Sequence, residues 1–199
     1  MTVELAQLPP LEWTGDPSSA SYDAASATLT LTSAAGVDWS NGALGGEEHR
    51  ASALAFAAPA QFTLSARVTV SGSRTTFDAG ALAIWADRDH WAKLCFEFSP
   101  QGDAMVVSVV TNDFSDDVNS VIVTEPSIHL RVARIGPAWA FHSSRDGERW
   151  DFVRLFRLSA TEHITVGFLA QSPQGDRCEA RFDDIAFSES VPRDLRDGS

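Results

Sequence analysis

The sequence predicts an all-β fold, either a sandwich or a closed barrel, and three observations carry that prediction. Apolar residues recur at every second position through most of the chain. Turn signals separate the alternating stretches: "SPQGD" at 99–103 and again at 172–176, and "DG" at 146–147. No helical repeat of any length interrupts them. Roughly ten or more short strands in one domain require two packed sheets or one sheet closed on itself.

Taken in order, "TLTLT" (28–32) and "ASALAF" (51–56) read as strands. "QFTLSARVTV" (61–70) alternates most cleanly. Phe62, Leu64, Ala66, Val68 and Val70 point inward; Gln61, Thr63, Ser65, Arg67 and Thr69 point outward. "GALAIWA" (80–86) and the strand at 91–98 are joined by "DRDH" (87–90), a short polar loop suited to a hairpin. Pairing Trp85 with Trp91 sets Ala83 opposite Lys93 and Ala81 opposite Cys95. On the reverse face Ile84 meets Ala92 and Leu82 meets Leu94, so the core residues of both strands land together. "AMVVSVVT" (104–111) is apolar on both faces, which implies burial on both. "IHLRVARI" (128–135), "WAFHSS" (139–144), "WDFVRLF" (150–156), "HITVGFLAQ" (163–171) and "EARFDDIAF" (179–187) complete the strands. Asp146-Gly147 is a turn dipeptide, with Ser144 placed to bond its backbone and Trp150 to pack on it. One helical turn fits best around 157–163. The chain is expected to be one domain, 1–199, with its core at about 10–188 and a polar tail, 189–199, that frays.

Composition narrows the function classes. A hydrophobic content of 44% supports a packed core. No run of ~18 apolar residues is present, so no membrane-spanning helix is expected, and the N-terminal "MTVELAQLPPLEW" lacks the pattern of a secretory leader. A net charge of −12 repels phosphate backbones and anionic lipid, which argues against nucleic acid and membrane as partners. The cations are 14 arginines and a single lysine, Lys93. Cys95 and Cys178 lie far apart without metal-site spacing. Two free thiols in a reducing cytoplasm is the default expectation, with a disulfide between neighbouring strands as the alternative.

Several stretches in succession resemble a known family: "GVDWS" (36–40), "AGALAIWADRDHWAKLCFEF" (79–98), "SVVTNDFSDD" (108–117), "LRVARIG" (130–136), "SSRDGERWDFVR" (143–154) and "VGFLAQSPQGDRCEARFDDI" (166–185). Their order and spacing resemble the "regulation of enolase" proteins, a domain of unknown function, over about residues 10–188. The matching positions include Trp91, Lys93, Glu97, Thr111, Asn112, Ser144, Asp146, Gly147, Trp150, Ser172 and Pro173. The resemblance implies a concanavalin A-like lectin/glucanase fold: a jelly-roll β-sandwich of two antiparallel sheets, one concave. "DWSN" and "FSDDVN" lack aromatics that the family often carries there, which implies a rebuilt groove rim.

Candidate chemistry centres on 91–98. Trp91, Lys93, Cys95 and Glu97 share one face of that strand. Carbohydrate sites combine an aromatic platform with convergent polar groups. Trp91 or Trp85 would be the platform, and Lys93, Glu97, Gln171 and Arg131 the hydrogen-bonding set. The structural alternative makes Trp91 a cap on the core edge and Lys93–Glu97 an ion pair. Glycoside hydrolysis needs two carboxyls, ~5–5.5 Å apart for retention or roughly 6.5–9.5 Å for inversion. Glu97 is the only acid on its strand face, so Asp38, Glu47, Asp113 or Asp183 would have to supply the other. "DRDH", "NDFSDD" (112–117) and "GEEH" (46–49) offer oxygen ligands for calcium without EF-hand spacing. Cys95, two residues from Lys93, would be a nucleophile only with a histidine such as His90 or His129 nearby. The preferred reading is a non-catalytic cytoplasmic protein that holds a glycan or small polar metabolite on the concave sheet, without a required cofactor. The alternatives are a glycoside hydrolase or lyase with Glu97 as its acid, and a regulatory protein that binds a metabolic enzyme.

Overall fold

The computed structural model describes residues 5, 7–16, 18–159 and 163–199. Among these described residues sixteen strands follow one another: β1 (Glu12–Trp13), β2 (Ser19–Asp23), β3 (Thr28–Thr32), β4 (Ser40–Asn41), β5 (Glu47–Glu48), β6 (Leu54–Ala57), β7 (Gln61–Ser71), β8 (Ala79–Asp87), β9 (His90–Phe98), β10 (Ala104–Asn112), β11 (Phe114–Ile122), β12 (Ser127–Ile135), β13 (Ala138–Ser144), β14 (Asp151–Phe156), β15 (Thr165–Gln171) and β16 (Glu179–Ser188). They form two seven-stranded sheets and a small hairpin, β4–β5. The concave sheet runs β1-β6-β15-β8-β9-β10-β11, and the second sheet runs β14-β13-β12-β7-β16-β3-β2. The architecture is therefore a sandwich and not a barrel. The helical turn expected around 157–163 falls partly outside the described residues; 157–159 and 163 are not helical.

Period two fixes the packing. Phe62, Leu64, Ala66 and Val68 of β7 meet Leu82, Ile84, Leu94 and Phe96 of β8 and β9 in the inter-sheet core. The β8–β9 register is the expected one, with Trp85 opposite Trp91, Ala83 opposite Lys93 and Ala81 opposite Cys95. Gly80 allows the sheets to approach: a Cβ there would lie 2.8 Å from both Ala180 and Val68. β10 is buried on both faces. Val106 and Val110 join the inter-sheet core, whereas Met105, Val107 and Val109 join a second apolar cluster on the concave face.

That second cluster exists because the concave face is covered. A strap, residues 36–50, crosses it. Val37 pairs with Ser172, and Trp39 lies between Trp85 and Trp91 with ring centroids 4.6 and 5.8 Å away. The Trp39 indole donates to Ala51 O (2.8 Å). Asn41 donates to Arg88 O and Asp113 O (3.0 and 3.1 Å), and His49 sits 2.6 Å from its carbonyl oxygen.

The tail does not fray as its composition suggests. It folds onto the outer face of the second sheet. Arg131 donates to Gly198 O (2.8 Å), His142 Nε2 lies 2.8 Å from Leu195 O, and Arg196 stacks on Phe152. The 145–150 loop behaves as expected. Asp146 Oδ1 accepts from Ser144 Oγ and from the backbone of Glu148 and Arg149, and Gly147 takes φ = 77°.

Candidate functional site

Same-face residues of neighbouring strands form rows across the concave sheet. One row is Gly167, Ala83, Lys93, Val109 and Asp117; another is Gln171, Ala79, Glu97 and Met105. The alanines leave a hollow beside the long side chains of β9, and the strap fills only part of it. What remains is a cleft of about 230 Å³. Lys93, Glu97, Val107 and Val109 make its floor. Asp38, Trp39 and Ser40 of the strap make one wall, with Phe77 beside them. Ser115, Asp117 and Asn119 of the edge strand β11 border its mouth.

Lys93 is not a free ligand contact. Its side chain is 3% exposed, and Nζ donates to Asp38 Oδ1 (2.6 Å), Gln171 Oε1 (2.8 Å) and Trp39 O (2.9 Å). An ammonium has three donors, and all three are engaged. Burial works against the charge, yet Asp38 and the neighbouring acids outweigh it and hold the Lys93 pKa above its ordinary value. The sole lysine is a clasp between sheet and strap. Its partner is Asp38 of the strap, where the sequence suggested Glu97.

Glu97 is the opposite case. It is 8% exposed, it faces the cleft, and among the described residues it has no hydrogen-bond partner. Burial, only partly offset by Lys93, pushes its carboxyl up to about 7. Asp117, exposed at the mouth, is also pushed upward by partial desolvation. Phe77 adds a strained backbone, φ = 68°, which is costly for a bulky residue. That conformation aims its carbonyl at Gln171 Nε2 (3.0 Å), which orients the amide that receives Lys93.

The remaining candidates are corrected. Trp91 is fully buried under Trp39 and donates to Asn41 Oδ1 (3.3 Å), so it offers no platform. Trp85 is half-covered by Trp39 and borders a separate shallow hollow with His49 and Arg88. Gln171 is buried and committed to Lys93 and Phe77. Arg131 is on the wrong sheet. It lies on β12, 4.2 Å over the Trp150 ring, and holds the tail, while burial lowers its guanidinium to about 10. Cys95 and Cys178 are free and buried. Burial pushes the Cys95 thiol well up and Cys178 to about 12, the reverse of an activated nucleophile.

Three of the acids proposed for calcium are otherwise engaged. Asp87 accepts from His90, Glu48 pairs with Arg50, and Asp116 pairs with Arg154. Among the described residues, no group of three or more His, Cys, Asp or Glu is placed to hold a metal ion. Of the proposed second acids, Asp38 reaches the site as the clasp partner, whereas Asp183 pairs with Arg67 on the other sheet. Phe77 was not foreseen, and Trp39, Ser40, Ser115, Asp117 and Asn119 stood only within the rim and calcium-loop stretches "DWSN", "FSDDVN" and "NDFSDD", not as binding residues in their own right. The alternation Ser115-Asp117-Asn119 was the available signal for the last three.

Residues 13–190 match the family described as "Protein of unknown function (DUF1349)". The chain belongs to that family. Within reach of it lies "Regulation of enolase protein 1" of Saccharomyces cerevisiae, 29% identical over 135 residues, covering 67% of this chain and 68% of the relative. A crystal structure of a functionally unknown protein from Saccharomyces cerevisiae superposes with a TM-score of 0.80 at 26% identity, covering 91% of this chain and 97% of that one. A xylan beta-1,4-xylosidase from Bacillus halodurans C-125 superposes at 0.67 with 16% identity, over 88% of this chain but 36% of the xylosidase. That last likeness speaks to fold alone, and the fold of this family member is the lectin/glucanase-type jelly-roll sandwich.

Proposed function

We propose that this protein binds a small polar molecule in the cleft between the strap and the concave sheet, without turning it over. One observation carries the reading: Glu97 is nine-tenths buried, faces the cavity and is unpartnered among the described residues. A buried carboxyl left open is costly unless something meets it, and a strongly perturbed acid in a cleft is a functional-site signal. The size of the cleft limits the ligand. At about 230 Å³ it lies below the roughly 300–1,000 Å³ of sites for drug-sized molecules. It suits a single small ring or short chain, with Ser40 and Asn119 offering hydrogen bonds to hydroxyls, while Ser115 Oγ is taken by Asn41 N and Thr111 Oγ1. The location we propose is the cytoplasm, where two buried free thiols stay reduced.

The second reading is a glycosidase or lyase, favoured by the Glu97 carboxyl near 7, a value suited to general acid catalysis. Its support is weaker. Asp38 is held by Lys93, and Asp117 lies two strands away and four residues along. Standard strand spacings put the Cα atoms of Glu97 and Asp117 roughly 16 Å apart. The name of the yeast relative suggests a third reading, contact with a metabolic enzyme, with this cleft or the exposed Phe114 and Ile122 of β11 at the interface. A ligand-observed NMR screen of polyols, monosaccharides and small amines, with product analysis of each hit, separates the first two. Saturable binding without products supports the binder, and bond cleavage that Glu97→Gln abolishes supports the enzyme.

A further inference from the structure

We infer that the molecule held in this cleft carries a protonated nitrogen, a small primary ammonium or guanidinium, which docks on Glu97 and passes Asp117 at the mouth. The inference rests on the binding reading above and specifies its ligand class. The charge arrangement leads to it. Four ionisable groups line the cavity: Asp38, Lys93, Glu97 and Asp117. Lys93 and Asp38 neutralise each other through a 2.6 Å contact. With all three ammonium donors engaged, Lys93 has nothing left to offer a carboxylate or phosphate. Glu97 and Asp117 remain, both acidic and neither in a salt bridge among the described residues. An anion would meet two carboxyls and no unpaired cation. A neutral alcohol would satisfy one lone pair and leave the charge unbalanced. A cation pairs with Glu97 and is drawn in at longer range by Asp117.

The walls fit the same ligand. Trp39 and Phe77 border the cavity, which limits the water around a bound ion. Val107 and Val109 make the floor between the acids apolar, so an ion pair formed there is less screened than at the surface. At longer range, a net charge of −12 raises the local concentration of cations around the whole molecule.

The charged groups acting on Glu97 come from each element packed around it: Lys93 on its own strand, Asp38 on the strap, Asp117 on β11, and Arg74 from the β7–β8 connection. Arg74 stacks on Phe96 and Phe98 and donates to the carbonyls of Asp78 and Phe96. An incoming ammonium stabilises the Glu97 carboxylate, so its binding near neutral pH must release a proton. A neutral ligand has no such requirement.

The test uses the full chain and matched pairs that differ only in charge: glucosamine with glucose, ethanolamine with ethylene glycol, and agmatine with its uncharged amide analogue. Calorimetry at pH 7 in two buffers of different ionisation enthalpy reads affinity and proton release together. The expected result is at least about tenfold preference for the charged member of a pair, with about half a proton released per site. Glu97→Gln should remove both the preference and the release. Asp117→Asn, at the exposed mouth and harmless to folding, should weaken the amine alone. Equal binding of charged and neutral members overturns the inference and leaves the binding reading standing. Binding of neither, with no shifts at Glu97 or Lys93 in protein NMR, overturns both.

Discussion

Replacing Lys93 by methionine isolates the clasp. Methionine keeps the unbranched stem and fills the same apolar channel, so packing is largely conserved. What is lost is one ammonium and its bonds of 2.6 and 2.9 Å to the strap and 2.8 Å to β15. Breaking a buried ion pair by deleting one partner costs about 3–5 kcal/mol, because the other charge stays behind unpaired. Asp38 retains 18% side-chain exposure, so water reaches it in part and the lower end applies. The expected loss is about 3 kcal/mol, or roughly 6–12 °C in Tm for a chain of this size. Denaturant unfolding and calorimetry measure it. Adding Asp38→Asn to Lys93→Met removes the stranded charge and should return on the order of 1–2 kcal/mol. The strap should also become sensitive to trypsin at Arg50. A loss below about 1 kcal/mol, the range of a surface pair, would refute the clasp, as would a double variant no more stable than Lys93→Met.

Two further predictions follow from the same geometry. The folded-state pKa of Glu97, about 7, lies above its ordinary value of 4.5, so the folded protein keeps a proton that the unfolded chain has lost. Its contribution to stability is therefore fullest below the unfolded value and declines as pH rises to 7, by up to about 3 kcal/mol. Stability curves of wild type minus Glu97→Gln should slope downward across that window, and parallel curves would remove the buried acid from the account. Arg131→Ala should release the tail, expose Arg193 and Arg196 to protease and cost about 2 kcal/mol through the lost charged hydrogen bond and stacking. Binding in the cleft should stay unchanged, and a loss of binding would return Arg131 to the site.

The inter-sheet core was legible because both strands of each hairpin must bury the same face. Trp85–Trp91 and Leu82–Leu94 could pair in only one register. Period two tells which side of a strand faces inward, but not which sheet holds the strand. Arg131 and Lys93 both point away from the core, yet from opposite sides of the sandwich. β11 was missed for a different reason. "FSDDVNSVI" has no alternating apolar set, since it is an edge strand held by pairing to β10 and largely exposed. The strap was hidden because its contacts are long-range. Lys93 and Asp38 are 55 residues apart, and nothing local to either announces the other. Lys93 was identified as unusual from its count of one; that its donors were already taken is a fact of tertiary structure.

The central claim is that Glu97 is open for a ligand, whereas Lys93 serves the fold. Unfolding free energy and ligand affinity measured together on Glu97→Gln at pH 8 test it most directly. The account predicts stability equal to or above wild type, because a buried carboxylate without a partner is removed, and affinity reduced at least about tenfold. A Glu97→Gln protein that is destabilised as much as Lys93→Met, or that binds as wild type does, would contradict it.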